Sequence, residues 1–362
     1  MKRHFLFTVL VFSCITIQAQ FIAPYSDYNG QVYIFDENET KFLETLPLSS
    51  YKVGKNAMLY STAVGRFKAY FQGTVYNLLD NTPDYFVTDN WIGYYNFGNL
   101  SVLYNNKFKV LDRLAQTEYW YSDSLVVWKS TLGQTHVFYN GQTYDIEQWE
   151  LTKEKNDPRI GDNTFAYVDQ SGNFKVFYHG ELKIIESYPP TLYYADRDMV
   201  VYIDVIGNIK FYSNGQYFET NIPAPQGFIT GEGFVAFYDQ QSRLNVWHNG
   251  EVKELSQNRP KELLVQDNLV AFTDQGNNFY VWYNGKLQML ERTQPLAMKA
   301  YRHILVYKDQ YARLHGLYYG QPVQISKDIV SGDFFLFNET VRYSLLQGQT
   351  WMWCKGKTFN YY

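Results

Sequence analysis

The sequence predicts an all-β fold built from ten repeats of about 35 residues, each forming one four-stranded sheet. A short phrase ends in a tight turn, as in Val281-Trp282-Tyr283-Asn284-Gly285 and Val246-Trp247-His248-Asn249-Gly250. This turn recurs at intervals of 33 to 39 residues, at Glu37, Gly73, Asn106, Gly141, Gly180, Gly215, Gly250, Gly285, Gly320 and Gly356. Self-similarity at such a period is typical of repeat architectures.

An aromatic residue is the second landmark of each repeat, two positions before a hairpin turn. It falls at Tyr25, Tyr60, Tyr94, Trp128, Tyr167, Tyr202, Phe237, Phe272, Tyr307 and Tyr343. In six repeats an aspartate stands at that turn, namely Asp27, Asp169, Asp204, Asp239, Asp274 and Asp309. An Asp side chain in a turn can accept hydrogen bonds from its own backbone, which favours this turn.

The eighth repeat shows the order of its strands most clearly. Alternation of apolar and polar residues predicts strand A over 262–265, B over 269–273, C over 278–283 and D over 286–291. Asn-Gly and Asp-x-Gly sequences separate these segments, and such pairs are strong hairpin signals. Each repeat is therefore read as a meander of four short strands.

Sheets of this kind predict a β-propeller, because a sheet that is apolar on both faces must stack on two neighbours. The aromatic of strand B then lies between blades. A single ring of ten blades is favoured, with two five-bladed rings as the alternative and a β-solenoid as the runner-up fold. The first repeat, over 21–47, has no strand A. Ring closure is therefore expected to rest on blade-to-blade packing.

The blade motif resembles a known family of propellers. Leu269-Val270-Ala271-Phe272-Thr273-Asp274, followed by Gly276 and Tyr280-Val281-Trp282, is similar to the blades of TolB-type and WD-like propellers. The resemblance covers residues 21–362 and implies the architecture. The A–B turns lack the Ser-Pro-Asp-Gly of that pattern, and the Trp-Asp pair is absent. No functional residue is therefore carried over.

The N-terminal segment predicts export. Lys2 and Arg3 precede a mostly apolar stretch over 5–17, and a small residue stands at Ala19 before Gln20. This pattern predicts a signal peptide over 1–19 and a mature propeller domain over 20–362. The periplasm or association with the outer membrane of a Gram-negative envelope is favoured, and the extracellular space is possible. A lipoprotein anchored at Cys14 is the alternative.

Composition and motifs argue against several classes of function. The chain of 362 residues has 32 Lys and Arg against 36 Asp and Glu, a net charge of −4, which argues against nucleic-acid binding. The six histidines have no ligand spacing, and no zinc, phosphate-loop or nucleophile-elbow motif occurs. The sequence therefore predicts no metal and no cofactor, and it leans against an enzyme.

Two recurring sets of carboxylates remain. One set falls at A–B turns, at Asp89, Asp123, Asp162, Asp198, Glu232 and Asp267, and the other at the B–C turns on the opposite face. Turn chemistry accounts for both sets. The alternative is a ring of negative potential that attracts a cation or a basic partner.

The longest loop, over 148–158, is the candidate partner-binding loop. It contains Trp149, Lys153 and Lys155, and the alternative is a solvated insertion with Trp149 turned inward. The function predicted from the sequence is a non-catalytic, exported scaffold that binds a protein in the cell envelope. It could serve as an accessory or plug subunit of an outer-membrane or secretion complex. The alternative is a carbohydrate-active or glycan-binding propeller that uses blade-top carboxylates and aromatics.

Overall fold

Each repeat folds into one antiparallel meander, because short alternating segments joined by two- to five-residue turns pair with their sequence neighbours. The computed structural model describes residues 22–36, 39–105, 107–148, 158–223, 227–346 and 348–361. Over these residues it contains nine four-stranded sheets and one three-stranded sheet. These ten sheets are blades 1 to 10 in chain order.

The strand bounds follow the repeat. Blades 1 to 3 contain β1 Ile22–Ser26, β2 Val32–Asp36, β3 Glu39–Glu44, β4 Leu48–Val53, β5 Ala57–Thr62, β6 Phe67–Phe71, β7 Thr74–Leu79, β8 Asp84–Val87, β9 Ile92–Asn96, β10 Asn99–Tyr104 and β11 Lys107–Asp112. Blades 4 to 6 contain β12 Ala115–Tyr121, β13 Leu125–Ser130, β14 Thr135–Tyr139, β15 Gln142–Glu147, β16 Arg159–Gly161, β17 Thr164–Val168, β18 Phe174–Tyr178, β19 Glu181–Glu186, β20 Leu192–Asp196, β21 Met199–Ile203, β22 Asn208–Ser213 and β23 Gln216–Pro223. Blades 7 and 8 contain β24 Phe228–Gly231, β25 Phe234–Tyr238, β26 Leu244–His248, β27 Glu251–Ser256, β28 Glu262–Gln266, β29 Leu269–Thr273, β30 Phe279–Tyr283 and β31 Lys286–Glu291. Blades 9 and 10 contain β32 Ala297–Tyr301, β33 Ile304–Lys308, β34 Leu314–Tyr318, β35 Gln321–Gln324, β36 Val330–Phe337, β37 Thr340–Leu345, β38 Thr350–Cys354 and β39 Lys357–Tyr361.

Strand A lies innermost in the ring, and strand D lies outermost. Strands A of adjacent blades contact each other, as β16 contacts β20, while many residues of the D strands are exposed. A Cβ on Gly161 of β16 would lie 2.2 Å from the Asp196 carbonyl oxygen of β20, so only glycine permits this approach. The inner ends of the blades therefore surround a central channel.

The core lies between blades. Strand β29 is buried along its whole length, and its Phe272 packs with Trp282 of its own blade and Phe234 and Val246 of blade 7. Phe272 is thus an interblade residue, as the sequence predicts. Nine of the ten aromatics in this series are buried, and Tyr94 is partly exposed.

Several tyrosines of this series also connect blades through their hydroxyl groups. Tyr60 of blade 2 donates to Glu44 at the end of blade 1, at 3.0 Å, and Lys68 pairs with the same carboxylate at 2.6 Å. The same arrangement joins Tyr167 to Glu147 and Tyr202 to Glu186. A buried hydroxyl needs a partner, and the preceding D strand provides it.

The ring closes without a strand A in blade 1. Ala23, Tyr25 and Phe35 of blade 1 pack against Met352 and Cys354 of blade 10. This packing confirms closure by blade contacts and a single ring, so the alternative of two five-bladed rings is wrong.

Two hydrogen bonds connect blade 10 to blades 1 and 2 where blade 1 has no strand A. Arg342 of β37 donates to the Pro24 carbonyl oxygen on β1 at 2.6 Å, and Asn338 of blade 10 donates to the Gly54 carbonyl oxygen of blade 2 at 2.8 Å. Pro24 suits the unpaired edge because proline has no N–H to leave without a partner there.

The strand boundaries predicted for the eighth repeat agree with the structure to within one residue.

No helix in the described residues is long and apolar enough to cross a membrane.

Candidate functional site

The two faces of the ring carry different connections. We call the face with the A–B and C–D turns the turn face, and the face with the B–C and D–A loops the loop face. On the turn face, the A–B turns of blades 2 to 10 line a cavity of about 410 Å³ at the end of the central channel. We call this cavity the channel mouth.

One arginine of blade 9 spans the channel mouth. The Arg302 Nη2 atom pairs with Asp89 Oδ2 of blade 3 at 2.6 Å and also with Asp123 of blade 4. Blades 9 and 4 are five apart in a ring of ten, so this ion pair crosses the channel. The Arg302 backbone N–H donates to Asp267 of blade 8 at 2.6 Å.

A second arginine bridges neighbouring blades on the other side of the mouth. Arg197 of blade 6 donates from Nε and Nη2 to Asp162 Oδ2, at 3.0 and 2.6 Å, and from Nη1 to Glu232 at 2.8 Å. Asn268 also donates to Glu232 at 2.9 Å. Arg197 therefore ties blade 5 to blade 7.

The turns are also linked through their backbones. Asp123 accepts a hydrogen bond from the Asp89 N–H at 2.8 Å, and Asp162 accepts one from the Asp123 N–H at 2.7 Å. Each of these carboxylates thus binds the turn of the preceding blade. The local turn chemistry expected for these residues is replaced by a chain of interblade contacts.

Negative charge is in excess at the channel mouth. Two guanidinium groups face the carboxylates of Asp89, Asp123, Asp162, Asp196, Glu232 and Asp267. Burial raises the pKa of Glu232 to about 7, against the attraction of Arg197. Burial, and then the nearby Asp89 and Asp162, raise the pKa of Asp123.

The arrangement can attract a cationic group, and it holds the blades together. Partly buried ion pairs of this kind interact more strongly than surface pairs because water screens them less. In the described residues, no group of three or more His, Cys, Asp and Glu side chains is placed to hold a metal ion.

Of the six carboxylates predicted at A–B turns, only Asp198 does not line the channel mouth. Its carboxylate accepts from Asn163 at 2.9 Å and pairs with His179 at 3.0 Å on the turn face. The equivalent position in blade 6 is Arg197, one residue earlier. Asp198 thus lies in the A–B turn, as the sequence predicts, but its side chain does not line the mouth.

The two arginines are not among the residues predicted from the sequence, although the repeat contains a signal for them. One position of the A–B turn recurs at intervals of 34 to 39 residues, at Asp89, Asp123, Asp162, Arg197, Glu232, Asp267 and Arg302. Two basic residues at a position that is otherwise acidic predict ion pairs once the blades form a ring.

A groove on the turn face lies beside the mouth, over blades 3 to 5. It has a volume of about 440 Å³ and is lined by aromatic rings and amides, including Trp91, Tyr104, Tyr139, Asn105 and Asn140. The Trp91 indole N–H is committed to the Ser122 carbonyl oxygen at 3.1 Å, and the Tyr139 hydroxyl bonds to His179 at 2.7 Å.

The B–C aspartates act as turn formers, as expected. Asp274 Oδ1 accepts from the Asn278 backbone N–H at 2.8 Å, and Oδ2 accepts from the Asn278 side chain at 2.9 Å. Although burial opposes it, these hydrogen bonds lower the pKa of Asp274. The bond from the backbone N–H four positions on recurs at Asp27, Asp169, Asp204, Asp239 and Asp309.

The predicted partner-binding loop is not tested by the structure. Trp149, Lys153 and Lys155 lie outside the described residues, and their role stays a prediction. The loop joins β15 to β16 as a D–A connection, so its two ends lie on the loop face. The predicted signal peptide and Cys14 also lie outside the described residues.

Solved structures with a similar fold are distant. A computationally designed protein, Ika8, has 16% identity and a TM-score of 0.35, covering 85% of this chain and 96% of its own. Hsv2p of Kluyveromyces lactis has 14% identity and a TM-score of 0.33, covering 68% and 99%. The CRINKLY WD40 ectodomain of the Arabidopsis thaliana receptor kinase ACR4 has 9% identity and a TM-score of 0.34, covering 67% and 96%. Such distant similarities carry no functional argument.

No curated protein matches the chain. A family model described as the 10-bladed beta propeller domain matches residues 16–359. The match agrees with the ten sheets and their closure, and nothing in it is specific to the TolB type. The chain belongs to the 10-bladed β-propeller domain family.

Proposed function

We propose that this protein is an exported, non-catalytic scaffold that binds a protein partner in the cell envelope. The observation that carries the proposal is the cross-channel ion pair of Arg302 with Asp89 and Asp123. It commits two carboxylates on adjacent blades to one guanidinium group from the opposite side of the ring. Free carboxylate pairs are what acid–base chemistry at a propeller mouth would need.

A ring braced in this way supports a role as a rigid platform. Ion pairs across the channel oppose separation of the blades, and the interblade hydrogen bonds extend that restraint around the mouth. A flat ring bridged at one end also suits an accessory or plug subunit that covers an opening in an outer-membrane or secretion complex. Export rests on Lys2, Arg3 and the apolar segment that follows.

The test is purification of the tagged full chain from fractionated envelopes of its own host. We expect a mature N-terminus at Gln20 by intact mass and one partner at fixed stoichiometry through two different purification steps. A Cys14→Ser variant is the control for lipidation. If this substitution releases the protein from the membrane fraction, the protein is a lipoprotein. A chain that runs alone in both steps contradicts the scaffold.

Glycan binding is the second candidate, and the groove beside the mouth favours it. Aromatic faces and uncharged amides, as from Tyr104, Asn105 and Asn140, suit neutral sugars, which need both stacking and hydrogen bonds. Titration with soluble envelope oligosaccharides tests this alternative. Tyr104→Ala should abolish glycan binding and leave partner binding unchanged. Binding that survives this substitution argues against the groove.

A further inference from the structure

Large apolar side chains stand at the tips of the B–C loops on one half of the ring. Blades 9, 10, 1, 2, 3 and 4 follow one another around the closure, and each presents one such residue that is 70 to 91% exposed. They are Tyr311, Leu346, Tyr28, Val64, Phe97 and Leu132. We call this set the apolar half-ring.

The remaining blades differ. The exposed tips of blades 5, 7 and 8 are polar, at Gln170, Gln240 and Gln275, and only Ile206 of blade 6 resembles the half-ring. The D–A loops of the half-ring add further exposed apolar side chains, at Leu46, Leu114, Leu296 and Ile329. Single exposed apolar residues are ordinary, but a run over six consecutive blades marks an interaction surface.

The backbone conformation of Phe97 is an independent argument that this face is an interaction surface. It occupies the first position of a two-residue turn with a φ of 47° and is 88% exposed. Bulky residues in the left-handed region are strained, and Asn or Gly is the ordinary choice in such a turn. The exposed ring gains little from the rest of the chain in return. Strain of this kind persists where a side chain serves a function.

Charge indicates the chemistry of the partner. The exposed charged residues in the described loops of the half-ring are mostly basic, with Arg66, Arg113, Arg292, Arg313 and Lys327 against Asp80 and Asp328. Nearby carboxylates at strand ends have partners within the ring. Glu44 pairs with Lys68, and Asp112 accepts a hydrogen bond from the Trp128 indole N–H. The protein as a whole has a net charge of −4, so this face departs from the average.

We propose that the apolar half-ring is the docking surface for a protein whose matching patch is apolar with an acidic rim. This inference rests on the proposed scaffold function and assigns its face and partner chemistry. The basic residues are spread over separate loops, whereas acidic membranes attract clusters of basic residues. A second copy docked face to face would bring the arginines together.

The test uses the partner recovered with the full chain, purified separately and recombined. Its dissociation constant is measured for wild type, for Phe97→Asn with Leu132→Asn, and for the control pair Gln240→Asn with Gln275→Asn. We expect the half-ring variant to bind at least about tenfold more weakly, since a few large side chains contribute most of the binding energy in such interfaces. The control pair should bind like wild type. The double variant should unfold at about the same denaturant concentration as wild type, because both side chains are mostly exposed, so weak binding cannot come from misfolding.

The other outcomes overturn the proposal. Equal affinity of the half-ring variant places the partner elsewhere and leaves the scaffold function standing. Recovery of no partner overturns both. Sedimentation of the chain alone with phosphatidylcholine–phosphatidylglycerol vesicles, lost on Phe97→Asn, assigns the face to a membrane. A dimer that the same substitution dissociates assigns it to a second copy.

Discussion

Two aromatic residues occupy equivalent strained turn positions on opposite faces of the ring. Tyr319, at the C–D turn of blade 9 on the turn face, has a φ of 48°, and Phe97 on the loop face has a φ of 47°. The Tyr319 hydroxyl donates to Glu339 at 3.0 Å, and its ring stacks on His303 at 4.7 Å. Phe97 is instead 88% exposed.

The difference shows how the two faces divide their roles. On the turn face, strained residues such as Tyr319 and Arg302 make contacts within the ring that offset the strain. On the loop face, the large side chain of Phe97 extends into solvent. We therefore expect Phe97 to serve in binding another molecule. Substitutions on the turn face should instead change the free energy of unfolding.

The largest expected effect is at Arg302. Arg302→Met keeps much of the side-chain volume but leaves Asp89 and Asp123 without their guanidinium partner. Breaking a buried ion pair in this way costs about 3–5 kcal/mol. The midpoint of chemical denaturation should fall accordingly. Arg66→Met on the loop face is the control, and a change of more than about 0.5 kcal/mol there would contradict the division between faces.

A pH dependence should follow from Glu232. Its pKa is raised from the ordinary value of 4.5 to about 7, so the unfolded state loses its proton first as the pH rises. Stability contributed by this group is complete below pH 4.5 and is lost as the pH rises through 7. Glu232→Gln should match wild type near pH 4.5 and exceed it at pH 8 by up to about 3 kcal/mol.

The pKa of Asp274 shifts in the opposite direction from that of Glu232, so Asp274 serves as the control. Its pKa is lowered, so its stabilising contribution is present above its ordinary pKa and is lost in acid. Asp274→Asn should therefore be less stable than wild type at neutral pH, with a difference that shrinks on acidification. Thermal midpoints from pH 2 to 8 measure both, because the Asp274 contribution is lost only below its ordinary pKa of 3.8. A Glu232→Gln difference that does not vary with pH would mean that Arg197 keeps this carboxylate ionised.

Most of the fold could be predicted because each blade is specified locally. The alternation over 269–273 and the Asn284-Gly285 turn are enough to predict one hairpin, and the period repeats it. The missing strand A of blade 1 was also visible. The number of rings was not, because closure depends on contacts such as Arg342 with Pro24, between residues far apart in the chain.

The site was less predictable because it forms only when the turns meet. Five of the six carboxylates at the channel mouth were predicted as turn residues, but blade 6 contributes Asp196, at the end of β20, instead of Asp198. Arg197 and Arg302 carry no local signal, since an arginine in a surface turn is ordinary. Their role follows only from the same position in the other blades, which the ring brings together.

A smaller effect should appear at Tyr319. Replacement by asparagine relieves the strained backbone but removes the bond to Glu339 and the stacking on His303. A hydrogen bond to a charged group contributes about 1.5–3 kcal/mol, so a net loss of about 1–2 kcal/mol is expected. Tyr319→Phe isolates the hydroxyl by retaining the ring. If Tyr319→Asn stabilises the ring, the contacts of this side chain do not offset its strain.

The smallest effect, and one of opposite sign, should come from Phe97. Asparagine is the favoured residue at this turn position, and Phe97→Asn removes an aromatic group that is almost entirely exposed. Relief of the backbone strain should raise the free energy of unfolding by about 0.5–1 kcal/mol. Denaturant midpoints of Phe97→Asn and Tyr319→Asn, measured together, compare one substitution at one φ on two faces. A loss of stability at both would mean that Phe97 packs within the ring, and the contrast between the faces would then fail.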